Sequence, residues 1–507
     1  MEIAVARDRL ARAEHELGKR KPKIEKRERY DRGEQDLPYA PQGVNAEYQD
    51  LREQSVANYF TIAKSAPVQR LRADSIRTSM GEAVDTELWN VLQSNKFASR
   101  QSMIYESMLL HGRGIASCWP NLANRARPII RPESMLLVHV EMDPGDPFTP
   151  LWAAKIYTED EMSDAGTQLL LPRGALVALT RQKTVGIVYD ADGMIRFERG
   201  GYAGTTDWKL VRDGTHEMKR VPFALYDYTI DGLGKPWSAM DALIPQQDAI
   251  NTIRFNTLLA MQFSAFRQRI VTGFDPRVTD EQGNFLYERN PDGTPKVDQN
   301  GNAIPVLNTP GRVGVDRLLA FPGGDTKVFD LAESNLKNYI EVLESFLVQF
   351  FSTGQIPPQY LLSQMANLSG DALAGAESTL ASLVKELQQS AGEGNVALAE
   401  LAWHAAGNDG EFSPSAETVW ADAEARSFAQ IIDAVVKLIS QGFPRQGAWL
   451  MIPGATPQKV QTWMDQAEDE AFSNRLALAA RQFQDVTGPA VDVVDQTEIT
   501  DAAAVGG

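Results

Sequence analysis

The apolar residues of this chain change their period along its length, and the changes mark its organisation. Leu336, Tyr339, Ile340, Leu343, Phe346, Leu347 and Phe350 recur at helical spacing, with Lys337, Glu341 and Glu344 on the other face. The spacing predicts an amphipathic helix over 331–354, opened by the capping-box pair Asp330 and Glu333 and ended by Gly354. Pro357 and Pro358 lack the amide protons of a helical ladder, so the chain must turn. A polar stretch over 359–370 follows. Helical periodicity returns at Asp371 through Leu373, Leu380, Leu383, Val384 and Leu387 and runs on to Leu401 and Trp403, with a bend expected at Gly392 and Gly394.

Upstream, residues 1–30 mix basic Arg7, Arg12, Lys19, Lys21 and Lys23 with Glu14, Glu16 and Glu25, and read as an exposed helix with a solvated face. From Asn45 to Arg113 the spacing stays helical, through Tyr59, Ile62 and Val68 and then Leu88, Trp89, Ile104 and Met108. His111 ends that run before Gly112, where a cationic imidazole favours a helix C-terminus. Between Gly114 and Tyr228 the pattern shortens to strand-like runs at 115–119, 135–140, 151–157, 175–179, 184–189 and 194–198. Asp192-Gly193 predicts a two-residue hairpin turn with positive φ at both positions, which also accounts for Asp190 and Asp192 better than a calcium loop.

A further helix is expected over 237–269, with Pro245 at a kink or a start. Residues 271–329 are then rich in Gly, Pro, Asn and Asp, with short strands at 303–307 and 317–321, so a small module sits between two long helices. Beyond Gly407 come a helix at 427–440, a turn at 452–457, another helix, and a small-residue acidic tail expected to be mobile.

Composition narrows the function. At 507 residues the chain suits about three domain-sized units, and 43% hydrophobic with 23% charged residues describes a folded protein. One cysteine, Cys118, allows no intramolecular disulfide and fits a reducing compartment, and no run is apolar enough to span a bilayer, so folding in cytoplasm is expected. A net charge of -17 works against a tight grip on phosphates, yet suits a conduit through which a polyanion slides, as it suits simple solubility. No GxxxxGK[ST] loop, HExxH pair or GxSxG elbow is present, the five histidines are scattered, and Ser369 beside Asp371 reads as a helix cap rather than a nucleophile. No cofactor and no catalysis are expected, though carboxylates are numerous enough to leave an unmarked hydrolase pair open.

The order of elements resembles bacteriophage portal proteins of the group with an SPP1-like fold. The resemblance rests on Gln355-Ile356-Pro357-Pro358-Gln359-Tyr360-Leu361-Leu362 followed by Asn367-Leu368-Ser369-Gly370-Asp371-Ala372-Leu373. It is supported by 31–38 near the start, by 452–457 near the end, and by the order helix, insert, helix, loop, long helix. It implies an α+β, mainly α-helical portal fold with a β-rich wing and a small α/β clip, assembling as a ring of twelve. The implied segments are an N-terminal helix and arm (1–45), wing (46–235), first stem helix (236–270), clip (271–330), second stem helix (331–354) and tunnel loop (355–372). A long bent helix (373–408), crown (409–485) and acidic tail (486–507) follow.

The resemblance further implies a virion protein at one capsid vertex, present in the host cytoplasm during assembly, with no membrane partner. Its partners would be the major capsid protein, scaffold protein, terminase large subunit, a head-completion adaptor, and double-stranded DNA held without sequence preference. Gln355, Gln359, Gln364, Asn367, Ser369 and Asp371 would line the channel as the tunnel loop. The 336–350 stripe would pack stem against stem, although its periodicity alone fits an internal core helix equally. A different capsid or minor head protein is the rival reading within virions.

Overall fold

The computed structural model describes residues 1–39, 46–78, 85–162, 168–170, 176–178, 180–200, 205–216, 218–265, 269–272, 277–298, 301–307, 327–330, 336–357, 370–421, 428–452, 455 and 457–487. The first elements are helices α1 (Ile3–Arg32), α2 (Ala46–Gln54) and α3 (Tyr59–Val68), strand β1 (Ala73–Arg77), and helices α4 (Thr86–Ser94) and α5 (Phe97–His111). Strands β2 (Arg113–Trp119), β3 (Ile129–Glu133), β4 (Val138–Met142), β5 (Pro150–Met162), β6 (Gln168–Leu170) and β7 (Leu176–Ala178) follow. Then come β8 (Thr180–Tyr189), β9 (Gly193–Gly200), β10 (Thr205–Thr215), β11 (Phe223–Asp227), α6 (Ile244–Ala265), β12 (Arg269–Thr272) and β13 (Lys327–Asp330). The chain continues as α7 (Leu336–Thr353), α8 (Gly370–Ala405), β14 (Glu417–Trp420), α9 (Phe428–Ser440), α10 (Arg445–Trp449) and α11 (Pro457–Thr487). Helices and antiparallel strands thus combine as an α+β protein.

The chain divides into two compact units, one of Met1–Glu34, Asn58–Ile244 and Phe351–Gly507, the other of Gln35–Ala57 and Pro245–Phe350. In the first, an antiparallel sheet in the order β10-β9-β8-β5-β4 is built from strands whose two faces are both apolar. Because side chains alternate across a strand, Ala153, Val185, Ile187 and Tyr189 meet Ile115 and Phe223 of the sheet β11-β2-β3, while Trp152, Ala154, Val188 and Phe197 face the other way. That other face is covered by Ala6, Leu10 and Ala13 of α1. Leu10 presses so closely that a Cβ on Gly186 would lie 2.7 Å from its Cδ1.

The first helix is therefore a core element and not a solvated one, a correction to its charge-rich sequence. Its buried positions Ala6, Leu10, Ala13, Leu17, Ile24, Arg27 and Tyr30 make one long stripe, which the Lys and Arg around it disguise. Near its end Arg27 grips Asp241 with two hydrogen bonds of 2.7 and 2.6 Å, Tyr30 meets Phe60 edge-on, and the buried Lys64 ammonium bridges Asp31 (2.8 Å) and Glu106 (2.9 Å).

The expected helices over 45–113 are present, and strands form in all six expected runs, with β3, β6, β10 and β11 in addition, but the run at 135–140 is strand only from Val138, its first three residues forming a turn. The hairpin turn lies one residue earlier than expected. Tyr189 pairs with Met194 and the Asp190 amide bonds the Gly193 carbonyl (3.0 Å), so the turn residues are Ala191 and Asp192, and the Asp190 carboxylate accepts from the amides of Asp192 (3.1 Å) and Gly193 (2.9 Å). Neither turn residue has positive φ. Glycine is needed at 193 for space, since a Cβ there would meet the Gly214 carbonyl oxygen at 2.4 Å.

His111 does close α5, but as a buried neutral ring: burial, with Arg27 and Arg20 nearby, pushes its pKa down to about 3. Its cationic role at the helix end is excluded on that ground. The strand pair β1 and β14, with Ala73 opposite Trp420 and Arg77 opposite Glu417, joins segments more than 300 residues apart and has no counterpart in the sequence reading.

In the second unit, α6 begins just before Pro245, which sits where its missing amide costs nothing. Asn251 of α6 is a buried clamp. Its Nδ2 donates to Gln35 Oε1 (2.7 Å), and its Oδ1 accepts from the Ala57 amide (3.1 Å) and from Gln247 Nε2 (3.0 Å). Strands β12 and β13 pair with Arg269 opposite Asp330. Asp330 is the last residue of β13, while Glu333 and the rest of 331–335 lie outside the described residues, as does the strand expected at 317–321.

Candidate functional site

The elements singled out by the sequence are α7, the chain that follows it, and α8. Along α7 the apolar stripe forms as expected: Phe350 is buried, Leu336, Tyr339, Leu343, Phe346 and Leu347 are half-buried, and Ile340 is 51% exposed. Val342 and Val348 add exposed apolar surface beside it. Large side chains left half in water are each short of part of the roughly 1.5–3 kcal/mol that full burial gives.

The helix ends at Thr353, just before its glycine as expected, but its cap is shifted by one residue. The Ile356 amide donates to the Phe351 carbonyl (2.9 Å) and the Gln355 amide to the Ser352 carbonyl (3.2 Å), the two bonds of a Schellman cap. The left-handed position of that cap belongs to Gln355, at φ 56°, whereas Gly354 has ordinary φ. Gln355 therefore fixes the direction in which the chain leaves α7, and Ile356 and Pro357 are buried behind it. Of the other residues expected in this loop, Gln359, Gln364, Asn367 and Ser369 lie outside the described residues, and Asp371 is in the first turn of α8.

Helix α8 runs uninterrupted through Gly392 and Gly394. Leu380, Leu383, Val384, Leu387, Ala391, Leu398 and Ala402 are buried along it. Asn395, also buried, donates through Nδ2 to the Tyr105 hydroxyl (2.8 Å), which donates to Gln101 Oε1 (3.3 Å), and that oxygen also accepts from the Ala73 amide (2.9 Å). This polar chain, from α8 through α5 to β1, went unseen in the sequence because each member is an ordinary helical residue. Burial raises the Tyr105 pKa, so its hydroxyl keeps its proton and remains a donor.

Among the described residues, no group of three or more His, Cys, Asp and Glu side chains is placed to hold a metal, and no helix is long and apolar enough to cross a membrane. The histidines serve locally: His216 Nε2 lies 3.0 Å from the Asp190 carbonyl oxygen, His404 Nδ1 3.1 Å from that of Asn408, and His139 Nε2 3.0 Å from Glu141.

Two curated proteins are similar over most of this chain. The portal protein of Mycobacterium phage L5 is 23% identical over 400 residues, covering 75% of this chain and 72% of its own. That of Mycobacterium phage D29 is 23% identical over 407 residues, with the same shares. The profile described as phage portal protein, SPP1 Gp6-like, matches residues 180–472, more than half of the chain, from β8 into α11. These matches span the insert, α7, the polar loop and α8, and the chain belongs to the SPP1 Gp6-like family of phage portal proteins.

Proposed function

We propose that twelve copies form a ring at one vertex of the capsid, with a central channel for DNA during packaging and ejection. The terminase large subunit docks on this ring during packaging, and a head-completion adaptor docks on it afterwards, while capsid and scaffold proteins hold it during assembly. In this reading 46–235 is the wing, α6 and α7 are the stem, 271–330 is the clip and 355–372 is the tunnel loop. The 373–408 helix leads to a crown at 409–485. The ring's work is mechanical, and DNA is passed along without sequence preference and without chemistry on the strand.

The observation that carries this reading is the α7 stripe, which a single copy leaves half-buried with Ile340, Val342 and Val348 exposed. A helix amphipathic in this way reaches full burial when a neighbouring copy covers it, and repeated head-to-tail contacts of that kind close a ring. Between Gly354 and Gly370 no Lys or Arg occurs, so the loop offers amides and hydroxyls to DNA without gripping its phosphates.

Electron microscopy of the purified protein, with mass measured on the same sample, tests the proposal. Rings with a central hole and a mass near twelve subunits are expected. Compact monomers under all conditions, including those with capsid or scaffold protein present, would refute it.

A further inference from the structure

Helix α11 is anchored only at its start. Val460 is fully buried, and Trp463 meets Trp449 of α10 edge-on with ring centroids 6.5 Å apart. From Glu468 to Leu478 every described side chain is exposed. The backbone nevertheless stays helical as far as Thr487, so that 468–487 rises about 30 Å. Helices in proteins draw most of their stability from an apolar face packed against a partner, and among the described residues the chain offers this stretch none.

The apolar face is there. Phe472 and Leu476 are 66% and 61% exposed, and in the sequence the series continues with Ala479, Phe483 and Val486, in steps of four, three, four and three residues. That alternation is the seam of one helix lying alongside another, a repeat that docking on a sheet or a globular surface does not impose. Ala471 and Leu478, both exposed, stand roughly a third of a turn to one side of it. A helix in a closed ring has a neighbour on each side and needs two such edges, whereas a helix in a pair needs one.

We infer that residues 472–486 of each α11 pack alongside the same residues of the neighbouring copies, closing a ring of parallel helices at the C-terminal end of the crown. The inference rests on the ring proposed above, which sets identical helices side by side. The flanks of the seam suit identical partners in charge. In a parallel alignment Glu468, Arg475 and Gln482 come level with Ser473, Ala480 and Thr487 of the next helix, so no like charges meet across it. Asp465, Glu468, Asp469 and Glu470 lead into the seam without a cation among them, which leaves DNA phosphates a poor partner for the same face.

Amide hydrogen exchange on the full chain, measured on assembled rings and on monomers obtained by dilution, tests this. The amides of 472–486 should exchange at least about tenfold more slowly in rings than in monomers. Leu476→Glu puts a charge into the seam and should abolish the difference, while Asn474→Glu, on the opposite side of the helix, should preserve it. Both positions are exposed, so neither change disturbs the fold of one copy. Rings whose 472–486 amides exchange as fast as those of monomers overturn the helix contact and leave the ring standing. A slowing that survives Leu476→Glu, that both variants lose equally, or that appears only when capsid or scaffold protein is added overturns it too. Protein that never forms rings overturns both.

Discussion

Gly394 lies against the face of Tyr226 so closely that a Cβ built on it would stand 2.3 Å from Cδ1 of the ring. Both are buried, the glycine on α8 and the tyrosine on β11, where its ring also meets Tyr105 at 6.1 Å. The relationship explains a glycine in the middle of a 36-residue helix, where it would otherwise be a poor choice.

A paired substitution follows from it. Gly394→Ala gains helix propensity but must displace a buried ring, and the overpacking cost of about 1–3 kcal/mol outweighs the gain of about 1 kcal/mol. At Gly392 the nearest atom to an added Cβ is Trp420 Nε1, at 3.6 Å, an ordinary contact. Gly392→Ala should therefore stabilise by about 0.5–1 kcal/mol. Urea unfolding of the two variants should move the midpoint in opposite directions, and a shared sign would show that the helix bends at these residues instead of packing through them.

His111 gives the protein an acid-sensitive seam beneath α1. Its ring lies 4.0 Å from Glu28 and is surrounded by Arg27, Arg20, Asp241 and Lys64, so the proton it would gain meets three cations and two carboxylates in a dry site. With the folded pKa near 3 and the unfolded one near 6.5, the unfolded chain binds more protons between those values. Stability is complete above pH 6.5 and falls as the pH drops, by about 2 kcal/mol between pH 7 and pH 5 from this group. His139, whose pKa burial and Arg20 also lower, adds to the slope in the same direction. Melting temperatures across that range should decline, and His111→Gln should flatten the decline; a variant as steep as the parent would place the acid sensitivity elsewhere.

How much of this was legible in the sequence depends on distance along the chain. Helices and strands with a clean period, such as α7, α9 and β8, could be read locally because their own residues carry the pattern. The stripe of α1 was hidden because Ala6, Ala13 and the aliphatic stem of Arg27 do part of the burying, and none reads as a core residue in a basic segment. The β1–β14 pair and the Gln101–Tyr105–Asn395 chain depend on residues hundreds of positions apart, which no local period encodes. The glycines at 193 and 394 were legible as glycines but not as close approaches, since that requires knowing what faces them.

Gln355 stands in a conformation that costs an L-residue roughly 1–2 kcal/mol and a glycine almost nothing. Gln355→Gly should raise stability by about 1 kcal/mol, since the larger unfolded-state freedom of glycine takes back part of the relief. In the proposed reading the Gln355 side chain faces the channel, which gives the strained position a use. The expected pattern is a higher unfolding midpoint together with impaired DNA packaging. A variant that is more stable and packages normally would reduce Gln355 to an accident of the cap.

The loop chemistry itself can be inverted. With no Lys or Arg between Gly354 and Gly370, DNA passing this loop of the proposed channel meets no side-chain cation there, and each step along the loop breaks no ion pair with it. Gln359→Lys with Gln364→Lys would add two cations per subunit at one level of the ring, and every phosphate contact so formed must be broken again before DNA advances. Ring assembly should be unchanged, because neither residue belongs to the α7 stripe, while packaging slows, most at low salt where phosphate contacts are strongest. Raising the salt concentration should restore the rate in the variant more than in the parent. Packaging that is indifferent to both the lysines and the salt would place 355–372 away from the DNA path, and the channel would then have to be sought along another face of the ring.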